Sequence, residues 1–477
     1  VEELKKQIPL TVDLDGSLIS TDLSEESIVK NALKRPWSIF LLLILLLQGR
    51  ARLKQYVASK LELNIESLPF KTEVLEWLTQ QKESGRSLYL VSGSDQHYVD
   101  QVSSYLNLFT KAWGSDGKTN LIGKNKAKKL VSEFGEKGFD YLGNSSVDLK
   151  VWQHSNAAVV VSSSAKLISK AERVSKVFNS NESQIKGLIK SMRFYQWSKS
   201  LLVFVPILAS HKLLDLPVAA ASILAFISFG FAASSGYILN DISDLTSDRL
   251  SESKKKRPFA CGQVRVSLGL ALGIALLLLS LLLASFLPKG FILVLILYYL
   301  AVMLYSAYLK RGILIDLLLL AGFYSLRVMA GGLATGIDVS RWLLLFSVFF
   351  FFSLACVKRF VELSALTDAR KVGRAYYSSD TPVILGMGLC SGFISTLVVA
   401  LWANSPEVSK IYLAPQWLWL LCPLMVYWIG RVWILAARQE MHQDPVLFAL
   451  KDKLSFLVYV AGFCLVYLAA TSPIGLK

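Results

Sequence analysis

Two patterns of hydrophobicity divide the chain. Up to about residue 180, short apolar runs such as LTVDLD, SLYLVSG, FDYLGN and AAVVVSS alternate with charged stretches of helical spacing. Short β-rich runs separated by helical stretches predict the buried strands of a parallel sheet, so an α/β domain is expected over residues 1–180. After residue 195 the apolar segments lengthen, and fall near 198–213, 218–238, 266–287, 290–309, 313–331, 341–360, 382–402, 413–434 and 453–473. A helix that crosses a bilayer needs about 20 apolar residues. The pattern therefore predicts an all-α transmembrane bundle of about nine helices over 196–477, the first of them short. Between the two parts, residues 163–195 are polar and rich in Ser and Lys, and a linker is expected there, at its narrowest over 181–195.

One run fits neither pattern. Residues 37–47, WSIFLLLILLL, are continuously apolar between Lys34, Arg35, Arg50 and Arg52. As a helix they reach about 16 Å, too short for a hydrocarbon core of about 30 Å. They are either a buried core helix or a helix resting on the membrane surface, and the basic flanks favour the second.

Composition sharpens the picture. Of 477 residues, 53% are hydrophobic, more than a soluble core requires. A net charge of +16 would suggest a nucleic-acid partner in a soluble protein. Here the Lys and Arg residues, Arg370, Lys371 and Arg374 among them, gather in loops after even-numbered segments. That distribution predicts a multi-pass protein of the inner (plasma) membrane, with these loops and the α/β domain cytoplasmic, the C-terminus outside, and no nucleic-acid partner. The five cysteines lack the spacing of a metal knuckle or redox pair. Homo-oligomer formation is left open.

The second apolar segment runs into Asn240, Asp241, Asp244 and Asp248, an NDxxDxxxD pattern. On a helix the three aspartates share one face, where they repel one another unless cations neutralise them. Oxygen donors of this kind suit Mg²⁺, which commonly bridges carboxylates to substrate phosphates. Lys256 and Arg257, just beyond, are fitted to pair with those phosphates. Tyr305, Lys310, Asp316 and Lys358 cluster at helix ends, while Arg327 lies eleven residues after Asp316 and about 16 Å deeper. A charge at that depth usually faces a cavity, which makes Arg327 a candidate substrate contact.

These motifs, with KRP, the YSAYLKR turn and the helix count, resemble the UbiA superfamily of intramembrane prenyltransferases. QWSKSLLVF, LRVMAGGLATGI and KRFVEL are most similar to its phosphoribosyltransferase branch, specifically over about 190–380. The resemblance implies that Asp241, Asp244 and Asp248 bind Mg²⁺ and phosphoribosyl pyrophosphate, with Asp241 and Asp244 central to catalysis. It also implies Asp316 as a second metal-side acid, Asn240 as an orienting group, and Lys256, Arg257, Lys310 and Lys358 as phosphate contacts. The acceptor implied is a polyprenyl phosphate in the bilayer. An aromatic prenyltransferase, and a transporter or scaffold without enzymatic activity, stay open as rivals.

In the first 180 residues, Asp13-Leu14-Asp15-Gly16 follows an expected strand and resembles the opening motif of the haloacid dehalogenase superfamily of phosphohydrolases, a Rossmann-like α/β fold. Ser92, Lys126 and Asp148 follow in the family's order, with Lys124 as an alternative to Lys126. The resemblance implies Asp13 as nucleophile and metal ligand, Asp15 as acid and base, Ser92 and Lys126 on the phosphoryl oxygens, and Asp148 near Mg²⁺. Asn144 stands where the family carries an acid beside the metal. The amide removes a charge from the metal site, but phosphatase activity is still expected, acting on the sugar 5-phosphate of the transferase product; a degenerate, regulatory or membrane-docking domain is the rival.

Overall fold

The computed structural model describes residues 7–179, 183–364, 376–441 and 444–472. Arg370, Lys371, Arg374 and the last five residues lie outside them. Six strands, β1 (Leu10–Asp13), β2 (Leu88–Asp95), β3 (Lys111–Ser115), β4 (Asp140–Gly143), β5 (Ala158–Val161) and β6 (Val174–Phe178), form one parallel sheet in the order β3-β2-β1-β4-β5-β6. Helices α1 (Leu23–Lys34), α2 (Ile39–Gln48), α3 (Arg50–Lys60), α4 (Thr72–Glu83), α5 (Gln96–Leu106) and α6 (Lys124–Phe134) connect the first four strands. β1, β4 and β5 are buried throughout, as parallel strands between helical layers are, and the two acids they carry are paired: Asp13 with Lys126 and Asp140 with Arg86. α1 begins where Asp22 accepts a hydrogen bond from the Glu25 amide, an N-cap that ends the preceding turn.

The sheet is larger than the apolar pattern suggests. β3 (KAWGS) is short and mixed, and β6 (VSKVF) lies inside the stretch expected to be linker. β6 pairs with β5 alone, so as an edge strand it keeps its middle residues exposed and its sequence reads as polar. Gln184–Ser191, also expected as linker, is a helix.

The apolar run at 37–47 does form a short helix, but not a buried one. Leu42 packs with Leu53 and Val57 of α3, while Trp37, Phe40 and Leu47 are 72%, 76% and 89% exposed. Exposure of this kind is not that of a core element.

The described residues hold eight helices long and apolar enough to cross a membrane: Leu216–Ser243, Val266–Ala284, Lys289–Ala307, Ile315–Thr335, Arg341–Ser364, Ser378–Ala403, Pro415–Ala437 and Lys453–Thr471. The expected first span at 198–213 is different. It consists of a 3-10 helix, Phe194–Phe204, and a five-residue helix, Val205–Ala209. Polar residues explain the difference: Lys199 and Ser200 are buried there, and Lys199 pairs with Asp444 at 2.6 Å.

The chain falls into two units, Val1–Met192 with Tyr237–Ala275, and Arg193–Gly236 with Leu276–Lys477. The Asp-rich segment and the basic loop after it thus belong with the α/β domain. Their join is polar and specific. Arg249 grips Glu26 of α1 through two bonds of 2.9 Å, both side chains being buried, and Lys30 donates to Thr246 at 2.8 Å. Removing one partner of such a pair leaves an uncompensated buried charge, at a cost of about 3–5 kcal/mol. Glu26→Ala is accordingly expected to lower the thermal unfolding midpoint of the detergent-solubilised protein, read by circular dichroism. An unchanged midpoint would show that the pair does not hold the join.

Candidate active sites

Asp13 ends β1, where the strand order reverses, and in open parallel sheets ligands bind outside the carboxyl ends of strands at that point. The Lys126 ammonium donates to Asp13 Oδ1 at 2.6 Å and to the Tyr141 hydroxyl at 3.0 Å, and the Ser17 hydroxyl donates to Asp13 Oδ2 at 2.9 Å. Burial raises the Asp13 carboxyl to about 7 against the opposing pull of Lys126, with Asp148 and Asp15 adding to the rise. Burial pulls Lys126 down, but Asp13, Asp148 and Asp15 together outweigh it and hold the ammonium above its usual range. Lys124, the alternative, is exposed at the start of α6.

A cavity of about 830 Å³ opens over these groups, lined by Asp13, Asp15, Lys126, Asn144 and Asp148 among others. Ser92 is not part of that wall. It is fully buried and donates to Asp15 Oδ2 at 2.6 Å, beside Ser94 at 2.8 Å, while the Leu23 amide holds Oδ1 at 2.9 Å. In this structure the Ser92 hydroxyl is held on Asp15. Ser94 lay outside the sequence reading, although its SGS repeat with Ser92 was a signal for it.

Asn144 closes over the DxDG turn. Gly16 there has φ +76°, and a Cβ on it would lie 2.1 Å from the Asn144 amide nitrogen, so the turn requires glycine. Asp148 is largely occupied by its own loop: Oδ2 accepts from the Asn144 and Ser145 amides and the Ser145 hydroxyl, and Oδ1 accepts from Tyr141 at 2.8 Å.

The Asp-rich run lies on a broken helix, not the continuous one its spacing suggests. Asn240 and Asp241 belong to Leu216–Ser243, Asp244 sits at the break, and Asp248 belongs to Leu245–Leu250. The Asp244 amide still bonds Asn240 O, and the Asp248 amide bonds Asp244 O, each at 2.9 Å. The helical repeat therefore survives the break. Arg257 reaches Asp241 Oδ1 at 3.1 Å and Asp248 Oδ2 at 2.6 Å. Burial raises the Asp248 carboxyl, with Arg257 opposing it. Lys256 is exposed on the adjoining loop.

In the second unit, Asp316 is fully buried, accepts from the Tyr376 hydroxyl at 2.6 Å and pairs with Arg359, which also pairs with Glu362. Lys358, one of the four expected phosphate contacts, precedes Arg359 on the same helix, and Tyr376 has no local signal in the sequence because it meets Asp316 only across 60 residues. Arg327 is buried as expected, but its guanidinium donates to Phe323 O and to the Tyr298 hydroxyl, both at 2.7 Å, and stacks among Phe229, Tyr298 and Tyr324. Its Nε is buried without a hydrogen-bond partner among the described residues, so the guanidinium keeps a donor that the expected substrate contact would use. Tyr305 packs edge-on against Phe323 in the same apolar cluster, and Lys310 lies in the turn Leu309–Arg311.

Among the described residues no group of three or more His, Cys, Asp or Glu side chains is close enough to cage a metal ion. The donors nevertheless fit Mg²⁺, which usually takes one or two carboxylates and completes its shell with water and substrate phosphate. Arg257, a cation held between Asp241 and Asp248, shows that this turn already stabilises positive charge.

Residues 201–470, more than half the chain, match the UbiA prenyltransferase family. The chain is 34% identical to the protein y4nM of Sinorhizobium fredii over 462 residues, covering 95% of this chain and 89% of that one. It is 31% identical to a decaprenyl-phosphate phosphoribosyltransferase of Mycolicibacterium smegmatis over 230 residues, covering 47% of this chain and 72% of the relative. A solved UbiA homologue from Archaeoglobus fulgidus, bound to DMAPP and Mg²⁺, aligns with 60% of this chain and 100% of its own, at 18% identity and a TM-score of 0.44. With its eight apolar helices, the chain is a multi-pass membrane protein that belongs to the UbiA prenyltransferase family.

Proposed function

We propose that the protein transfers 5-phosphoribose from phosphoribosyl pyrophosphate to a polyprenyl phosphate, and then removes the sugar 5-phosphate to leave a lipid-linked ribose for cell-envelope glycans. The observation that carries this reading is the convergence of Asp241 and Asp248 on Arg257, in a chain similar to decaprenyl-phosphate phosphoribosyltransferases. In the first step an oxygen of the lipid phosphate bonds to ribose C1 as the bond from C1 to pyrophosphate breaks, and pyrophosphate leaves with the electron pair. The acceptor is already anionic, so no strong base is needed. Arg257 and Lys256 are assigned to the charge gathering on the leaving group. Asp241, Asp244 and Asp248 are assigned to Mg²⁺, which when bound would neutralise pyrophosphate oxygens.

In the second step the Asp13 carboxylate attacks phosphorus, the bond from phosphorus to the C5 oxygen breaks, and Asp15 protonates that oxygen. Water then attacks phosphorus, giving its proton to Asp15, and inorganic phosphate leaves as Asp13 is restored. Lys126 holds the Asp13 side of the site, and Ser92 and Ser94 hold Asp15. Asp13, Asp148 and the neutral Asn144 would face the metal. The first product stays in the bilayer, so fusing the two activities raises the second site's effective concentration around it. The exposed face of α2 supports placing the soluble half against the cytoplasmic leaflet.

The test uses purified protein with phosphoribosyl pyrophosphate, polyprenyl phosphate and Mg²⁺. Pyrophosphate and inorganic phosphate are expected in equal amounts, and EDTA is expected to stop both. Absence of pyrophosphate, with release from a prenyl diphosphate and an aromatic acceptor instead, would replace this reading with the aromatic prenyltransferase.

A further inference from the structure

The cavity above Asp13 is larger than a phosphoryl group requires; about 830 Å³ falls within the range of about 300–1,000 Å³ typical of sites that enclose whole small molecules. Part of its wall comes from outside the α/β fold. Gly262, Gln263 and Arg265, from the loop that follows the Asp-rich segment, line it alongside Asp13 and Lys126. This loop is built against the soluble domain. Gly262 has φ +78°, and a Cβ there would lie 2.5 Å from Ser20 Cβ, another residue of the cavity wall. Phe259, Ala260 and Val264 are buried, the Ala260 carbonyl accepts from Arg249 Nε at 3.1 Å, and Gly187 meets Val264 so closely that a Cβ would approach to 2.5 Å.

The cations on the wall are differently engaged. Lys126 is committed to Asp13, Lys54 is held by Gly93 O at 2.6 Å and Asn120 Oδ1 at 3.1 Å, and Lys71 is held by Gly16 O at 2.6 Å. Arg265 is exposed on the wall, and among the described residues its guanidinium has neither a hydrogen bond nor an ion pair. A planar fork of donors in that situation is suited to bidentate recognition of a phosphate.

We propose that the loop 258–265 of the transferase half acts as the specificity wall of the phosphatase cavity, with Arg265 binding a second phosphate of the substrate while Asp13 and Lys126 engage the first. The inference rests on the phosphatase reading above and deepens it: the cavity takes a sugar carrying two phosphate groups, one a monoester to be cleaved and the other the phosphate that joins sugar to lipid. One loop then serves both chemistries, since Arg257 immediately before it pairs with Asp241 and Asp248, and Arg265 lies eight positions on.

The experiment uses the full-length protein in detergent without polyprenyl phosphate, so that the transferase step has no acceptor and inorganic phosphate reports the soluble cavity. Hydrolysis of ribose 1,5-bisphosphate and of ribose 5-phosphate is followed by inorganic phosphate release. The KM for the bisphosphate is expected to be at least about tenfold lower, the effect of one charge-assisted contact. Arg265→Gln is expected to bring the two KM values together, with Arg265→Lys intermediate. A bisphosphate advantage that survives Arg265→Gln overturns the proposal. If neither probe is hydrolysed, calorimetric binding of the same probes separates the two ideas. Selective bisphosphate binding that Arg265→Gln abolishes would sink the phosphatase reading and keep the two-phosphate site, whereas no selective binding would sink both.

Discussion

Asp13→Asn is expected to abolish inorganic phosphate release, by at least about a thousandfold, while pyrophosphate continues to form and a phosphorylated lipid-linked sugar accumulates. The magnitude follows from deleting a nucleophile, since the remaining groups of such a site retain only a residue of its power. The variant also has a structural cost. Lys126 is buried against Asp13 at 2.6 Å, and neutralising one partner of a buried pair is expensive. A thermal midpoint measured beside the assay separates lost chemistry from lost folding, and mass spectrometry of the extracted lipid identifies the intermediate. Continued phosphate release from a folded Asp13→Asn protein would remove the soluble domain from the pathway.

Asp241→Asn should act earlier and silence both products in the coupled assay, cutting pyrophosphate release about 100- to 1,000-fold, the usual loss when one preorganised electrostatic group is removed. Arg257 keeps its 2.6 Å bond to Asp248, so the turn retains a partner for its guanidinium. The protein should fold, and excess Mg²⁺ should restore part of the rate if the lost carboxylate serves the metal. A variant with undiminished pyrophosphate release would show that the Asp-rich turn does not hold the diphosphate.

The contrast between the two variants also tests the order of the steps. Asp241→Asn starves the soluble site of its substrate, whereas Asp13→Asn leaves the membrane step supplied. If both variants lost pyrophosphate equally, a coupling between the sites would be indicated, and the Arg249–Glu26 pair within the first unit is the place to look for it.

Local chemistry made much of this protein legible in its amino-acid order. Strands such as AVVV, the DxDG turn, and apolar runs long enough to cross a bilayer depend on neighbours in sequence, so periodicity and length report them. The short helix at Ile39–Gln48 was legible as one too short to span a bilayer for the same reason, since its length is read directly from the apolar run. Other features were settled only in three dimensions. β6 is a strand because β5 offers it an edge, not because VSKVF insists on one. The segment at 198–213 is broken because Lys199 finds Asp444, 245 positions away. Ser92 serves Asp15, Arg327 is enclosed by aromatic rings, and Arg359 with Tyr376 clasps Asp316, each through partners that no window of sequence contains. A buried polar group must be satisfied by whatever the fold brings near it, so its role is decided by tertiary structure.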